Sequence, residues 1–194
     1  MQESDGPICM SETLSRRAFE QLALWGAPAL LRAAQRPEPK LAFRELGKTG
    51  LKVTSLGFGT MLASDPVVVE RAADLGLNFF DTARSYQGGN NERMVGQALK
   101  GKRQRAILCS KTLARTKQGA LSELDTSLIT LGTDYLDIWH LHAKNKPEEV
   151  TDELLEAQQT AKQAGKVRFA GVSLHFNMKT LIPWLVQKGR TEVI

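Results

Sequence analysis

The chain has 194 residues, of which 42% are hydrophobic, and a formal net charge of +5. These values suit one globular domain. The basic excess is scattered (Lys100, Lys102, Arg103, Arg105) with no aromatic-interleaved stripe, which argues against a nucleic-acid partner. No run approaches the roughly 18 apolar residues of a membrane span. Of the two cysteines, Cys9 and Cys109, the second falls in a predicted buried strand, so a disulfide framework is not expected.

Residues 1–40 differ from the rest. Ser15-Arg16-Arg17-Ala18-Phe19 precedes a short, mildly apolar segment from Leu22 to Leu31. A charged pair before such a segment is the plan of a signal peptide. The pattern resembles the twin-arginine export signal, whose pathway carries folded proteins. That resemblance implies contact with the export machinery and a periplasmic or exported location. The alternative is an amphipathic N-terminal helix with a chance arginine pair, in a cytoplasmic protein. Arg36 to Lys40, with two prolines, reads as a linker.

From Leu41 the pattern becomes regular. Phe43–Leu46, a Gly47–Gly50 turn and Leu51–Thr54 predict a β-hairpin. Ser55–Thr60 is a glycine-bearing strand whose backbone can be closely approached. Asp65-Pro66 starts a short helix to Leu75. Leu77-Asn78-Phe79-Phe80 is a buried strand ending at Asp81. A helix over 91–100 follows, then a strand over 106–110 ending at Lys111. A helix over 119–131 leads to the strand 135–141, which ends at His142. A helix over 148–164 stops at Gly165, as a C-terminal glycine should. The strand 167–172 ends at Ser173. Lys179 to Lys188 is helical around Pro183, which is expected to kink or restart it. Thr191–Ile194 reads as a new strand.

Strand and helix alternate five times, the signature of β/α units on a parallel sheet. The fold expected is α/β, a parallel (β/α)8 TIM-type barrel. It is incomplete here, with about five units and the N-terminal hairpin over residues 41–194, against about 250 residues for a closed barrel. A fragment of a longer protein is therefore the expectation. Four successive strands each end on a polar group: Asp81, Lys111, His142 and Ser173. In a parallel sheet those ends share one face, where barrel active sites lie. A carboxylate at the end of a buried strand is costly unless paired, so Asp81 requires a partner.

The same residues carry a resemblance to the aldo-keto reductases. The matching stretches run in family order. They begin with Phe43-Arg44-x-Leu46-Gly47-x-Thr49-Gly50-Leu51-x-Val53-x-x-Leu56-Gly57-x-Gly59-Thr60 and Leu75-Gly76-Leu77-Asn78-Phe79-Phe80-Asp81-Thr82-Ala83-x-x-Tyr86. Ser110-Lys111 and Ser127-Leu128-x-x-Leu131-x-Thr133-Asp134-Tyr135-Leu136-Asp137 follow, and Gly165-Lys166-Val167-Arg168-x-x-Gly171-Val172-Ser173 ends the series. The resemblance implies a barrel that reduces an aldehyde or ketone, or oxidises the alcohol, with NADP(H) or NAD(H). It implies Asp81, Tyr86, Lys111 and His142 as catalytic residues, with Tyr86 the general acid and base. It places Ser173, Gly59, Thr60 and Asp81 at the cofactor. Leu174 stands where the family has an asparagine beside the serine, with His175 or Asn177 as substitutes.

The chemistry is consistent with that list. Hydride addition to a carbonyl leaves negative charge on oxygen, so an acid must deliver a proton. A phenol is a poor acid at neutral pH, and a neighbouring ammonium stabilises its phenolate. An imidazole can polarise the carbonyl oxygen. Two other readings stand beside this one. His140-x-His142 puts both rings on one face of a strand, and with His175 and Asp81 they would form the metal site of a hydrolase. Alternatively the chain is an inactive reductase-like remnant, so the 194-residue form is expected to show little activity and a longer parent more.

Overall fold

The computed structural model describes residues 40–194, residue 190 aside; the twin-arginine stretch lies outside the described residues. Strand β1 (Phe43–Glu45) pairs antiparallel with β2 (Lys52–Thr54), Phe43 opposite Thr54. The turn between them takes left-handed backbone at Gly47 (φ 54) and Gly50 (φ 71), which glycine adopts without a steric penalty. Leu51 and Val53 bury against Ile107, Cys109 and Ile138 of the main sheet.

Alternation of strand and helix then builds the sheet. The strands are β3 (Phe58–Gly59), β4 (Phe79–Asp81), β5 (Ile107–Thr112), β6 (Leu136–Leu141) and β7 (Val167–Val172). They lie side by side in chain order, every pair parallel. The helices between and after them are α1 (Pro66–Asp74), α2 (Asn90–Ala98), α3 (Lys117–Leu131), α4 (Asp152–Gln163) and α5 (Met178–Lys188). This is the partial barrel that the spacing predicts.

Successive strand residues face opposite sides, and the sequence uses both. Phe80, Leu108, Trp139, Leu141 and Val172 point outward into the main core. There they meet Val69, Met94, Val95, Leu124, Leu154, Leu181 and their helical neighbours. Ile107, Cys109 and Ile138 face the other way. By the period of two, Lys111 shares a face with Ile107 and Cys109, and His142 shares one with Ile138. The tertiary fold thus delivers Asp81, Lys111, His142 and Ser173 to one face at one end.

Helix starts follow local chemistry. The Asp65 carboxylate accepts from Val67 N at 2.9 Å, with Pro66 in the first turn. The Thr116 and Thr151 hydroxyls cap α3 and α4. The last of these corrects the sequence reading: α4 begins at Asp152 rather than 148, because Pro147–Glu149 form a separate 3₁₀ turn before the cap. Helix α5 runs through Pro183 as one element. Thr191–Ile194 forms a single parallel bridge, Gly171 to Val193, rather than a strand.

Candidate active site

Asp81 closes β4, and its Oδ2 lies 2.6 Å from the Lys111 ammonium. That ammonium also donates to the Thr82 carbonyl at 2.8 Å and to the Tyr86 hydroxyl oxygen at 3.1 Å. Lys111 is buried and all its proton-bearing directions have partners, which offsets the desolvation of its charge. Burial raises the Asp81 pKa from its ordinary value while Lys111 opposes the rise.

Tyr86 reaches Lys111 from the 3₁₀ turn Tyr86–Gly89 in the loop after β4, not from a strand. The loop is fastened beneath. The Arg84 guanidinium pairs with the fully buried Glu92 of α2, whose other oxygen accepts from Ser110 at 2.6 Å. The Arg84 head fills the space over Gly89, where a Cβ would collide with it. Gln87, in left-handed backbone (φ 51), donates to the Met61 and Ala63 carbonyls at 3.0 and 2.9 Å.

The His142 ring meets the Tyr86 ring edge-on, 5.7 Å between centroids. Its Nδ1 lies 3.4 Å from the Ser85 hydroxyl. Burial lowers the His142 pKa from 6.5 to about 4, with Lys111, His175 and Lys144 adding to the effect. The ring is neutral at pH 7. Asp81, Lys111, Tyr86 and His142 therefore form one contiguous cluster at the strand ends.

The residues expected at the cofactor divide. Gly59, paired in register with Asp81, is exposed, and a Cβ placed on it would meet no atom within 4 Å. That is open space beside the cluster where a flat ring can approach the backbone. Ser173 is partly exposed. Its Oγ accepts from Ala143 N at 3.0 Å, which leaves its proton free to donate. Thr60 is fully buried, and its hydroxyl lies between the Asp81 carbonyl at 2.8 Å and Asn91 Oδ1 at 2.6 Å, so it holds the Asp81 backbone. Leu174 packs against the core rather than facing the site. His175 and Asn177 are exposed, and the Asn177 amide donates to the Asn145 carbonyl at 3.2 Å.

The metal reading loses its ligand set. Among the described residues no three His, Cys, Asp or Glu side chains gather to hold an ion. The His140 ring lies on Gly171, where a Cβ would strike it, and its Nδ1 is buried without a partner among the described residues. His140 is a packing residue of the barrel interior. Sequence reasoning passed over Ser85, the Arg84–Glu92–Ser110 fastening, and Asn145. The last joins the loop after β6 to the loop after β7 by accepting from Phe176 N at 3.0 Å. None of these belongs to a periodic pattern.

Parallel β/α units thus place an ammonium between a carboxylate and a phenol, beside an imidazole, at the strand ends. The aldo/keto reductase family model matches residues 55–187. The chain is 35% identical over 178 residues to L-galactose dehydrogenase of Arabidopsis thaliana, covering 80% of this chain and 56% of the relative. It is 37% identical over 102 residues to the methylglyoxal reductase YeaE of Escherichia coli, covering 52% and 35%. An aldo-keto reductase of Bacillus halodurans in its holo form superposes with TM-score 0.71 at 33% identity, over 79% of this chain and 56% of that one. A thermostable aldo-keto reductase solved with the inhibitor epalrestat gives 0.67 at 28% identity, over 78% and 59%. The chain belongs to the aldo/keto reductase family. It spans about half the length of the curated relatives it matches.

Proposed function

We propose that the whole protein catalyses NAD(P)H-dependent reduction of small aldehydes or ketones and, in reverse, oxidation of the alcohols by NAD(P)+. One observation carries the reading: the Lys111 ammonium bridges the Asp81 carboxylate and the Tyr86 hydroxyl oxygen. A nicotinamide nucleotide supplies the hydride that adds to the carbonyl carbon. Gly59 and Ser173 fit its ring, the first by open space and the second by a free hydroxyl proton.

The chain's own groups handle the proton. As negative charge grows on the substrate oxygen, the Tyr86 hydroxyl transfers its proton there and an alcohol forms. The ammonium at 3.1 Å stabilises the phenolate left behind. Asp81 keeps that ammonium in place and offsets its charge. His142 is neutral, and a Ser85 hydroxyl donating to its Nδ1 leaves the proton on Nε2. That N–H is a donor for the substrate oxygen, and a neutral ring does not compete as the acid. Solvent then restores the Tyr86 proton.

The test is substitution of the phenol. In the whole protein, Tyr86→Phe is expected to lower kcat for carbonyl-dependent NADPH oxidation by about 10²–10⁴, the usual contribution of a general acid. Nucleotide binding, followed by fluorescence, is expected to persist. Full turnover in the variant would remove Tyr86 from this role. We also propose export through Ser15-Arg16-Arg17-Ala18-Phe19. Fractionation supports it if the protein leaves the cytoplasm and the Arg16→Lys, Arg17→Lys double variant stays behind.

A further inference from the structure

Charged side chains buried among the described residues are paired, with one exception. Lys111 has Asp81, Glu92 has Arg84, and Asp137 has Arg103 and Arg168. Lys144 is 8% exposed. Among the described residues its ammonium has no carboxylate within 4 Å and donates no hydrogen bond. Burial lowers its pKa, with Arg115 pushing the same way and Glu149 opposing. The stem is buried while the ammonium sits at the edge of a cleft, with no carboxylate at hydrogen-bond distance to fix it.

Lys144 lines a cleft of about 440 Å³ together with His142, Leu113, Arg115, Glu148, Glu149 and Leu154. The Glu149 carboxylate is engaged by the Asn145 N–H at 2.7 Å. Between His142 and Lys144 the backbone is strained. Ala143 has φ 53, in the left-handed region that favours glycine. The turn is held on both sides by Ser173, whose Oγ accepts from Ala143 N and whose carbonyl accepts from Lys144 N at 2.8 Å. Strain of this kind persists where the surroundings over-determine it, and it gathers at ligand sites. Here it fixes the lysine backbone two residues from the imidazole.

We infer that this cleft selects substrates carrying a carboxylate beyond the carbonyl, with the carbonyl at Tyr86 and His142 and the carboxylate on Lys144, Arg115 assisting. The inference rests on the reductase reading and adds the substrate class to it. A carboxylate supplies the counter-charge Lys144 lacks, and a partly desolvated ammonium makes a strong, charge-assisted bond.

Reduction of 4-carboxybenzaldehyde is compared with that of its neutral methyl ester by the whole protein. The ratio of kcat/KM, acid over ester, is expected to favour the acid and to fall at least about tenfold in Lys144→Met, the scale of one hydrogen bond to a charged group. Lys144→Arg is expected to restore most of it. Lys146→Met, on the exposed neighbour, is expected to leave the ratio alone. An unchanged ratio in a folded Lys144→Met variant would overturn the inference while leaving the reductase reading intact. A rise in KM for NADPH with no change in the ratio would also overturn it, by assigning the lysine to the cofactor. If neither aldehyde is turned over, the reductase reading fails and 4-methylbenzoate titration decides. Binding that Lys144→Met abolishes keeps the cleft as a carboxylate site; binding that is absent or indifferent to the change removes it.

Discussion

Lys111 is the residue on which the others depend. Its ammonium is shared by a carboxylate, a carbonyl and a phenol, so its loss acts twice. Lys111→Met removes the stabiliser of the phenolate and strands Asp81. The expected result is loss of carbonyl reduction, with folding destabilised by about 1–3 kcal/mol, the cost of leaving a half-buried carboxylate without its partner. Comparing denaturant midpoints of Lys111→Met and Asp81→Asn/Lys111→Met checks this. The double variant is expected to recover part of the loss, since the unpaired carboxylate is gone. Gly171 poses a residue-scale question of a different kind. A Cβ there would press into the buried His140 ring. Gly171→Ala is expected to cost about 1–3 kcal/mol, as overpacking does, measurable in urea.

At the scale of elements, the contact between α2 and α3 explains a glycine that a helix interior would otherwise avoid. A Cβ on Gly96 would sit 2.6 Å from the Leu131 carbonyl oxygen. That atom belongs to backbone and cannot swing away. Gly96→Ala, which raises intrinsic helix propensity, is therefore expected to lower the thermal midpoint. A stabilised variant would show that the helices can part. The Tyr86 loop is another element-scale device. Arg84 and Glu92 pair across it, with Glu92 fully buried. Arg84→Ala leaves that carboxylate with Ser110 alone and loosens the loop over Gly89. Both stability and kcat are expected to fall, with KM for the carbonyl rising as Tyr86 loses its fixed position.

For the molecule as a whole, the buried imidazoles set a pH dependence. Burial, with Lys111 and His142 adding, lowers His140 from 6.5 to about 3, and His142 falls from 6.5 to about 4. Below pH 6.5 the unfolded chain binds more protons at these two sites than the folded chain does. The stability they permit is complete above pH 6.5 and is lost as pH falls toward 4. Asp81 has the opposite sign. Its raised pKa means the folded chain takes up a proton earlier, so its penalty eases on acidification. Two imidazoles outweigh one carboxyl, and thermal midpoints are expected to drop between pH 6.5 and 4. His140→Leu is expected to flatten that drop, and an identical slope in the variant would remove His140 from the account.

Sequence alone determined the succession of units, because burial writes a period of two into strands and of 3.6 into helices. It also determined which polar groups stand at or near the strand ends, Asp81, Lys111, His142 and Ser173, although β5 runs one residue past Lys111 to Thr112. The short hairpin turn and the Asp65-Pro66 start were readable for the same local reason. Only the tertiary structure decided which groups meet. Tyr86 approaches Lys111 because Arg84 and Glu92, eight residues apart, close a loop that has no periodicity. Only packing shows that Thr60 is buried against the Asp81 carbonyl and that the His140 ring lies on Gly171. Lys144 was one more lysine in a loop. Its lack of a counter-ion is a property of the space around it, and such space exists only once segments distant in the chain have packed together.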